Sequence, residues 1–320
     1  AAIIVAGCLS VMSAEAASIH TGSEGGAYNT AFCPPLGPAL KGAYFNGYEC
    51  TPSDGTLANI EQVLATPTDL GFSQRDVFVR LAAQDPEKFA NLEIVRELAC
   101  EGIWMVTKNP TIKSYGDVLA LARRIPFVLP PEASGSAATF DYLMTIDPDG
   151  IGMASDISYD DSTESMLNRV ANSEDGDIGM FVQFADPKNT NIKLMMDSGL
   201  TVFPVISREI VNQEVDGDRV YKVQEFELES GLFSGTNITA TCTPAVIFTG
   251  SPSAFTNPKD IANQEDLITT IKGIPSDELL PKEGRLAKLI KAAADLSGKA
   301  VEELVAATEL AAEKAKEALK

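Results

Sequence analysis

Short apolar runs alternate with helix-like segments along most of this chain, the pattern of an α/β protein. An apolar run at 16–19 leads into Thr21-Gly22-Ser23-Glu24-Gly25-Gly26-Ala27-Tyr28 and then a helix-like stretch. Leu57, Ile60 and Leu64 share one face of a helix predicted over 54–65, with Ser53 or Asp54 able to cap it. Residues 69–73 predict a short strand ending in a polar loop, 73–76. A longer apolar strand is predicted over 98–107, carrying the single tryptophan, Trp104. Ser114 caps a helix reaching about 123. A strand at 127–129, helices at 137–144 and 162–170, and a strand at 178–182 follow. A second long strand is predicted over 239–249. From about 281 the chain turns Ala-, Leu-, Glu- and Lys-rich. Two helices, 285–296 and 299–319, carry one apolar stripe through Leu286, Leu289, Ile290, Ala293, Val301, Leu304 and Val305. These helices are expected to dock on the body, with a coiled-coil partner as the alternative.

Three turns stand out, each after a strand and each opening a helix: 21–28, Pro52-Ser53-Asp54-Gly55-Thr56, and Ser134-Gly135-Ser136. Glycine lets backbone approach a ligand closely. Helix starts present free N–H groups, and in open α/β sheets such turns line the binding crevice. Neither the phosphate-loop signature nor the G-x-G-x-x-G spacing is present. The three turns together predict a cradle for a small polar molecule.

A length of 320 residues allows one large domain or two ordinary ones, and 45% hydrophobic with 22% charged content is normal for a globular chain. A net charge of −20 disfavours nucleic acid and anionic membrane surfaces. Residues 1–17 read as the remnant of an export signal, with Ala14-Glu15-Ala16 as the cleavage site. Val5-Ala6-Gly7-Cys8 offers a competing lipoprotein-type cut at Cys8. Cys33, Cys50, Cys100 and Cys242 then remain, an even count that suggests disulfides. Cys33–Cys50 would close a short loop, but three pairings stay open. With one histidine, His20, and no Cys-x-x-Cys, neither a zinc site nor another cofactor is expected. Asp160 with Asp161, or Asp175 with Asp177, could serve acid–base work or metal binding, though they read as solvated loop acids. Asp147-Pro148-Asp149-Gly150 is a fragment of a calcium loop and reads as a plain turn.

Several segments together resemble a known family. Thr21-Gly22, Gly26 and Tyr28 look like the T-G-x-x-x-G-x-Y loop of the periplasmic solute receptors of TRAP-type transporters, the TAXI family. Ser53, Gly55, Asn59 and Ile60 are similar to its second motif. Asp69-Leu70-Gly71-Phe72-Ser73-Gln74-Arg75-Asp76 resembles D-L-G-I-x-Q-S-D, with Arg75 in place of Ser. The segment 130–136 resembles P-x-x-S-G-T-R, with Ser136 for Thr and Ala137 for Arg, and 175–178 resembles D-G-x-I-D. The resemblance spans about 18–248.

It implies an α/β, two-lobed periplasmic-binding-protein (type II) fold with two hinge strands and a C-terminal helical extension. One lobe would be 18–104 plus 244–280 and the other 105–243, with 281–320 packing on the first. Side-by-side hinge strands would pair Cys100 with Cys242, leaving Cys33 with Cys50. The implied protein is a periplasmic monomer that captures a small organic anion or amino-acid-like solute and delivers it to a TRAP-type membrane transporter. A ligand- or metal-binding sensor is the alternative, and an enzyme on this fold a further one. The ligand would be held by Ser23, Glu24, Gly25, Tyr28, Ser53, Gly55, Thr56, Gln74, Arg75, Ser134, Gly135, Ser136, Phe181 and Gln183. Ala137 leaves the usual carboxylate-binding arginine missing, and Arg75 could replace its charge. Its alternative is a surface arginine paired with Asp76.

Overall fold

The computed structural model describes residues 17–174, 176–186, 188–215, 217–227, 237–281, 290 and 294–318. The expected export signal and lipoprotein site, Asp175, and most of the helix expected over 285–296 lie outside the described residues.

Strands β1 (Ser18–His20), β2 (Glu49–Thr51) and β3 (Leu70–Gln74) are parallel neighbours in the order β2-β1-β3. The next strand, β4 (Leu92–Thr107), spans 16 residues, and β12 (Asn237–Gly250) spans 14. Both are longer than the apolar pattern suggests, because their outer ends are amphipathic rather than continuously apolar. These two antiparallel strands bridge the molecule. The C-terminal part of β12 lies between β3 and β4, from Ala245 to Thr249 on one side and from Cys242 to Gly250 on the other. The N-terminal part of β12 pairs instead with β11 (Lys222–Glu227). From Gly102 onward β4 pairs with β7 (Ile178–Gln183), and its last residues also with β8 (Thr201–Phe203). Beyond β7 run β5 (Phe127–Leu129) and β6 (Ile157–Tyr159), parallel to one another. The hairpin pair β9 (Glu214–Val215) and β10 (Asp218–Arg219) forms a separate small sheet.

Each half of the long sheet is covered on both faces, and strand alternation decides which side chain goes where. In the first half Phe72, Ala245 and Ile247 join a core with Leu36, Leu40 and Ile271, while Phe248 joins Ile60, Val63 and Phe78 on the opposite face. In the second half Ile103 and Met105 face Phe127, Phe140 and Leu143, whereas Trp104 and Val106 face Met166, Leu167 and Ile192. Two halves, each with a double-sided core and joined through β4 and β12, make the two-lobed α/β fold. The crossing is fastened by the Cys100–Cys242 disulfide, and Cys33–Cys50 ties the first helix to β2. Both pairings agree with expectation.

Three expectations change. Residues 73–76 do not form a loop: β3 runs directly into the Arg75–Gln84 helix, with Gln74 as its extended N-cap. Within the helix expected over 285–296, Ala294–Asp295 is a strand, β13, paired with β11. The final helix, Gly298–Ala318, packs against the Tyr115–Leu121 helix of the second half, not on the first lobe. Gly116 makes this approach possible, since a Cβ there would come within 2.4 Å of the Thr308 carbonyl oxygen. Val301 and Val305 seal the contact with Ile206, Val211 and Val223, and Arg208 pairs with Glu302 and Glu309 on its rim.

Candidate functional site

The loop after β1 and the loop after β2 are stitched to each other. The Ser53 hydroxyl oxygen accepts from the N–H of Gly22 (3.0 Å) and of Gly55 (3.2 Å), and the hydroxyl donates to Asn59. The Asn59 amide in turn donates to the Phe72 carbonyl at 2.8 Å. Gly55 takes φ +117°, a conformation that side-chain-bearing residues rarely adopt. The serine of the second turn therefore holds the site's wall together. Ser23, Glu24 and Gly25 lie exposed at the tip of the first loop.

The helix that follows opens with a π-helical turn, Tyr28–Phe32, of a kind often found at functional positions. Tyr28 stacks on Phe72 with ring centres 5.2 Å apart, meets Phe184 edge-on, and donates its hydroxyl to Glu101 at 2.5 Å. Glu101 is 6% exposed and sits on β4 where that strand leaves the first half. Its cross-strand partner is Thr243 on β12. The Thr243 hydroxyl donates to Asp76 at 3.1 Å, and Tyr221, from the second half, donates to the other Asp76 oxygen at 3.1 Å. Asp76 is completely buried in the first turn of its helix and also accepts the Val77 N–H. Thr139, from the Gly135–Ile146 helix, faces Asp76 without completing a hydrogen bond of normal geometry.

Burial sets the electrostatics here. Desolvation pushes the Glu101 carboxyl up to about 8; the Tyr28 hydrogen bond opposes this, and the Asp76 charge adds to it. Asp76 is also raised by burial, against the hydrogen bonds it receives. Burial raises Tyr28 and Tyr221 as well. Among the described residues neither Asp76 nor Glu101 forms an ion pair.

The halves meet along two helices. Arg80 of the Arg75–Gln84 helix donates to the Ala138 carbonyl at 3.1 Å and pairs with Asp141 at 3.2 Å. Gln74 lies against Gly135, where an added Cβ would fall 2.1 Å from its Oε1, and the same oxygen accepts the Thr56 hydroxyl at 2.9 Å. Thr56, Gln74 and Gly135 thus meet where the halves face each other, and the neighbouring Ser134 caps its helix through the Ala137 N–H.

Other expected site residues sit elsewhere or are engaged. Arg75 is not paired with Asp76: it is buried and pairs with Glu97 and, at 3.6 Å, with Asp218. Ser136 is buried, its hydroxyl accepting the Val182 N–H at 2.9 Å. Phe181 is fully buried among Trp104, Met166 and Ile192, because alternation in β7 turns it toward the outer helices and away from the gap. Gln183 accepts from Asn191 at 3.0 Å. His20 is bound to Asp69 at 2.9 Å within the wall of the first half. Glu101, Thr139, Tyr221 and Thr243 were not anticipated. The one available signal was Glu101, an acid within the apolar run Leu98-Ala99-Cys100-Glu101-Gly102-Ile103-Trp104.

No family model and no curated protein match the chain. Solved structures of similar course include a periplasmic transporter, at 11% identity and TM-score 0.47, over 96% of this chain and 97% of that one. An R. palustris protein solved with adipate aligns at 15% identity and TM-score 0.46, over 95% and 98%. A Xanthomonas citri protein bound to ATP aligns at 10% and 0.47, over 95% and 99%. Identities this low leave function to be argued from the chain's own residues.

Proposed function

We propose that this chain is an exported, periplasmic solute-binding protein of the TAXI type, which closes two lobes over a small organic molecule and delivers it to a TRAP-type membrane transporter. The observation that carries this reading is the wall between the halves. Asp76 and Gln74 from one half meet Tyr221, Thr139 and Gly135 from the other, at the two strands that join them. A molecule touching both walls only when they are shut stabilises the shut form, and no chemical step is required. Two disulfides suit an oxidising compartment. The lobe limits proposed are 18–104 with 244–280, and 105–243, with the last helix assigned to the second lobe.

Thermal unfolding tests the reading. Amino acids, organic acids, amines and divalent cations are added separately to the full chain. A ligand at a hundred times its Kd adds about 2.7 kcal/mol of stability. A rise with one small organic class is expected. A rise with divalent cations alone would favour the metal-binding sensor instead.

A further inference from the structure

Among the described residues, the buried acids at the crossing have no positive partner. Asp76, Thr243 and Glu101 lie on one sheet face, since Thr243 and Glu101 are directly opposed and Asp76 is bonded to Thr243. Other titratable or charged groups approach from every packed element: Tyr28 from the first helix, and Tyr221 and Tyr142 from the second half. The nearby cations are engaged elsewhere. Arg75 is held by Glu97 and Asp218, Lys222 lies 3.7 Å from Glu97, and Arg80 is held by Asp141. A buried carboxylate without a cation is costly, and a fully buried hydroxyl without a partner adds to that cost. Thr139 is such a hydroxyl: it has no exposure, and among the described residues it faces Asp76 without completing a hydrogen bond of normal geometry.

Resting on the solute-binding reading, we infer that the captured solute carries a primary ammonium group seated between Glu101 and Asp76, with the Thr139 hydroxyl as a further acceptor. A primary ammonium has three N–H donors, and these groups supply acceptors from both lobes. A quaternary ammonium has no N–H to offer them. The ligand class is therefore an amine or amino acid rather than a simple organic anion, and Arg75 is not its anchor. The overall charge of −20 also favours a cation's approach.

Titration calorimetry on the full chain tests this with putrescine, L-lysine and ethanolamine, against tetramethylammonium, glutarate and adipate. Because Glu101 is pushed up to about 8, it is mostly protonated at pH 7 and must lose its proton to hold an ammonium. Affinity for at least one primary amine should rise about tenfold per pH unit between pH 6 and 7.5. About one proton per ligand should be released, read from the dependence of heat on buffer ionisation enthalpy. Glu101→Gln, which retains its bond from Tyr28, should lose tenfold or more while melting cooperatively. The proton count on the unaltered protein stands if that variant fails to fold. Glutarate or adipate binding that is unaffected by Glu101→Gln would overturn the inference and leave the solute-binding reading intact. Tetramethylammonium binding as tightly as the primary amines would overturn the ammonium assignment. Silence from all three primary amines would overturn the inference, and the solute-binding reading falls only if the wider thermal screen is silent as well.

Discussion

At the scale of single residues, the gap between the lobes is set by a few close approaches. Gly135 is where it closes most tightly, because any side chain there displaces the Gln74 amide from its bond with Thr56. Gly135→Ala should cost about 1 kcal/mol, the worth of that hydrogen bond. In a double-mutant cycle read by chemical denaturation, adding it to Gln74→Ala should cost almost nothing further. Additive losses would mean that the two residues do not meet. The turn motifs made Gly135, Tyr28 and Thr56 legible as candidates, because glycine and hydroxyl residues at helix starts announce themselves, while Gln74 is legible only through the resemblance of 69–76 to a family motif. Ser53 and Ser136 share the helix-start signal but serve the scaffold, and Phe181, an aromatic able to stack on a ligand, packs into the core instead. Whether a hydroxyl faces a ligand or a neighbouring N–H depends on tertiary placement, which a local pattern does not encode. The role of Glu101 and Thr139 is not local: it exists only where β4 meets β12 and where the Arg75–Gln84 helix meets the Gly135–Ile146 helix.

At the scale of elements, the fastened crossing of β4 and β12 and the docked final helix govern stability. The Cys100–Cys242 bond closes a loop of sequence separation 142, against 17 for Cys33–Cys50. On loop entropy the first is worth about 5 kcal/mol and the second about 3. Cys100→Ser with Cys242→Ser should thus lower the denaturation midpoint more than the other double replacement, and the reverse order would count against the loop-entropy ranking. Gly116→Val should overpack the contact with the last helix and cost about 1–3 kcal/mol, with increased proteolysis within Gly298–Ala318. Element type and order were readable from apolar periodicity. The docking of the last helix was not, since a stripe of Val and Leu fits either lobe. Gly116 in the partner helix decided the matter.

At the scale of the whole molecule, a buried, uncompensated acid at the crossing makes the unligated protein pH-sensitive. Glu101 binds its proton more tightly folded than unfolded, so stability is greatest below its ordinary value of 4.5 and declines as the pH rises toward about 8. Melting temperatures across that window should fall more steeply for the native sequence than for Glu101→Gln, and matching slopes would remove Glu101 as the cause. The central claim is that the halves move as lobes and shut on a guest. Spin labels at the exposed positions Glu61 and Glu164, one on each lobe, report this directly by electron–electron distance measurement. A compound that raises the melting temperature should shift the distance distribution toward a single shorter population. A distribution identical with and without such a compound would contradict the account.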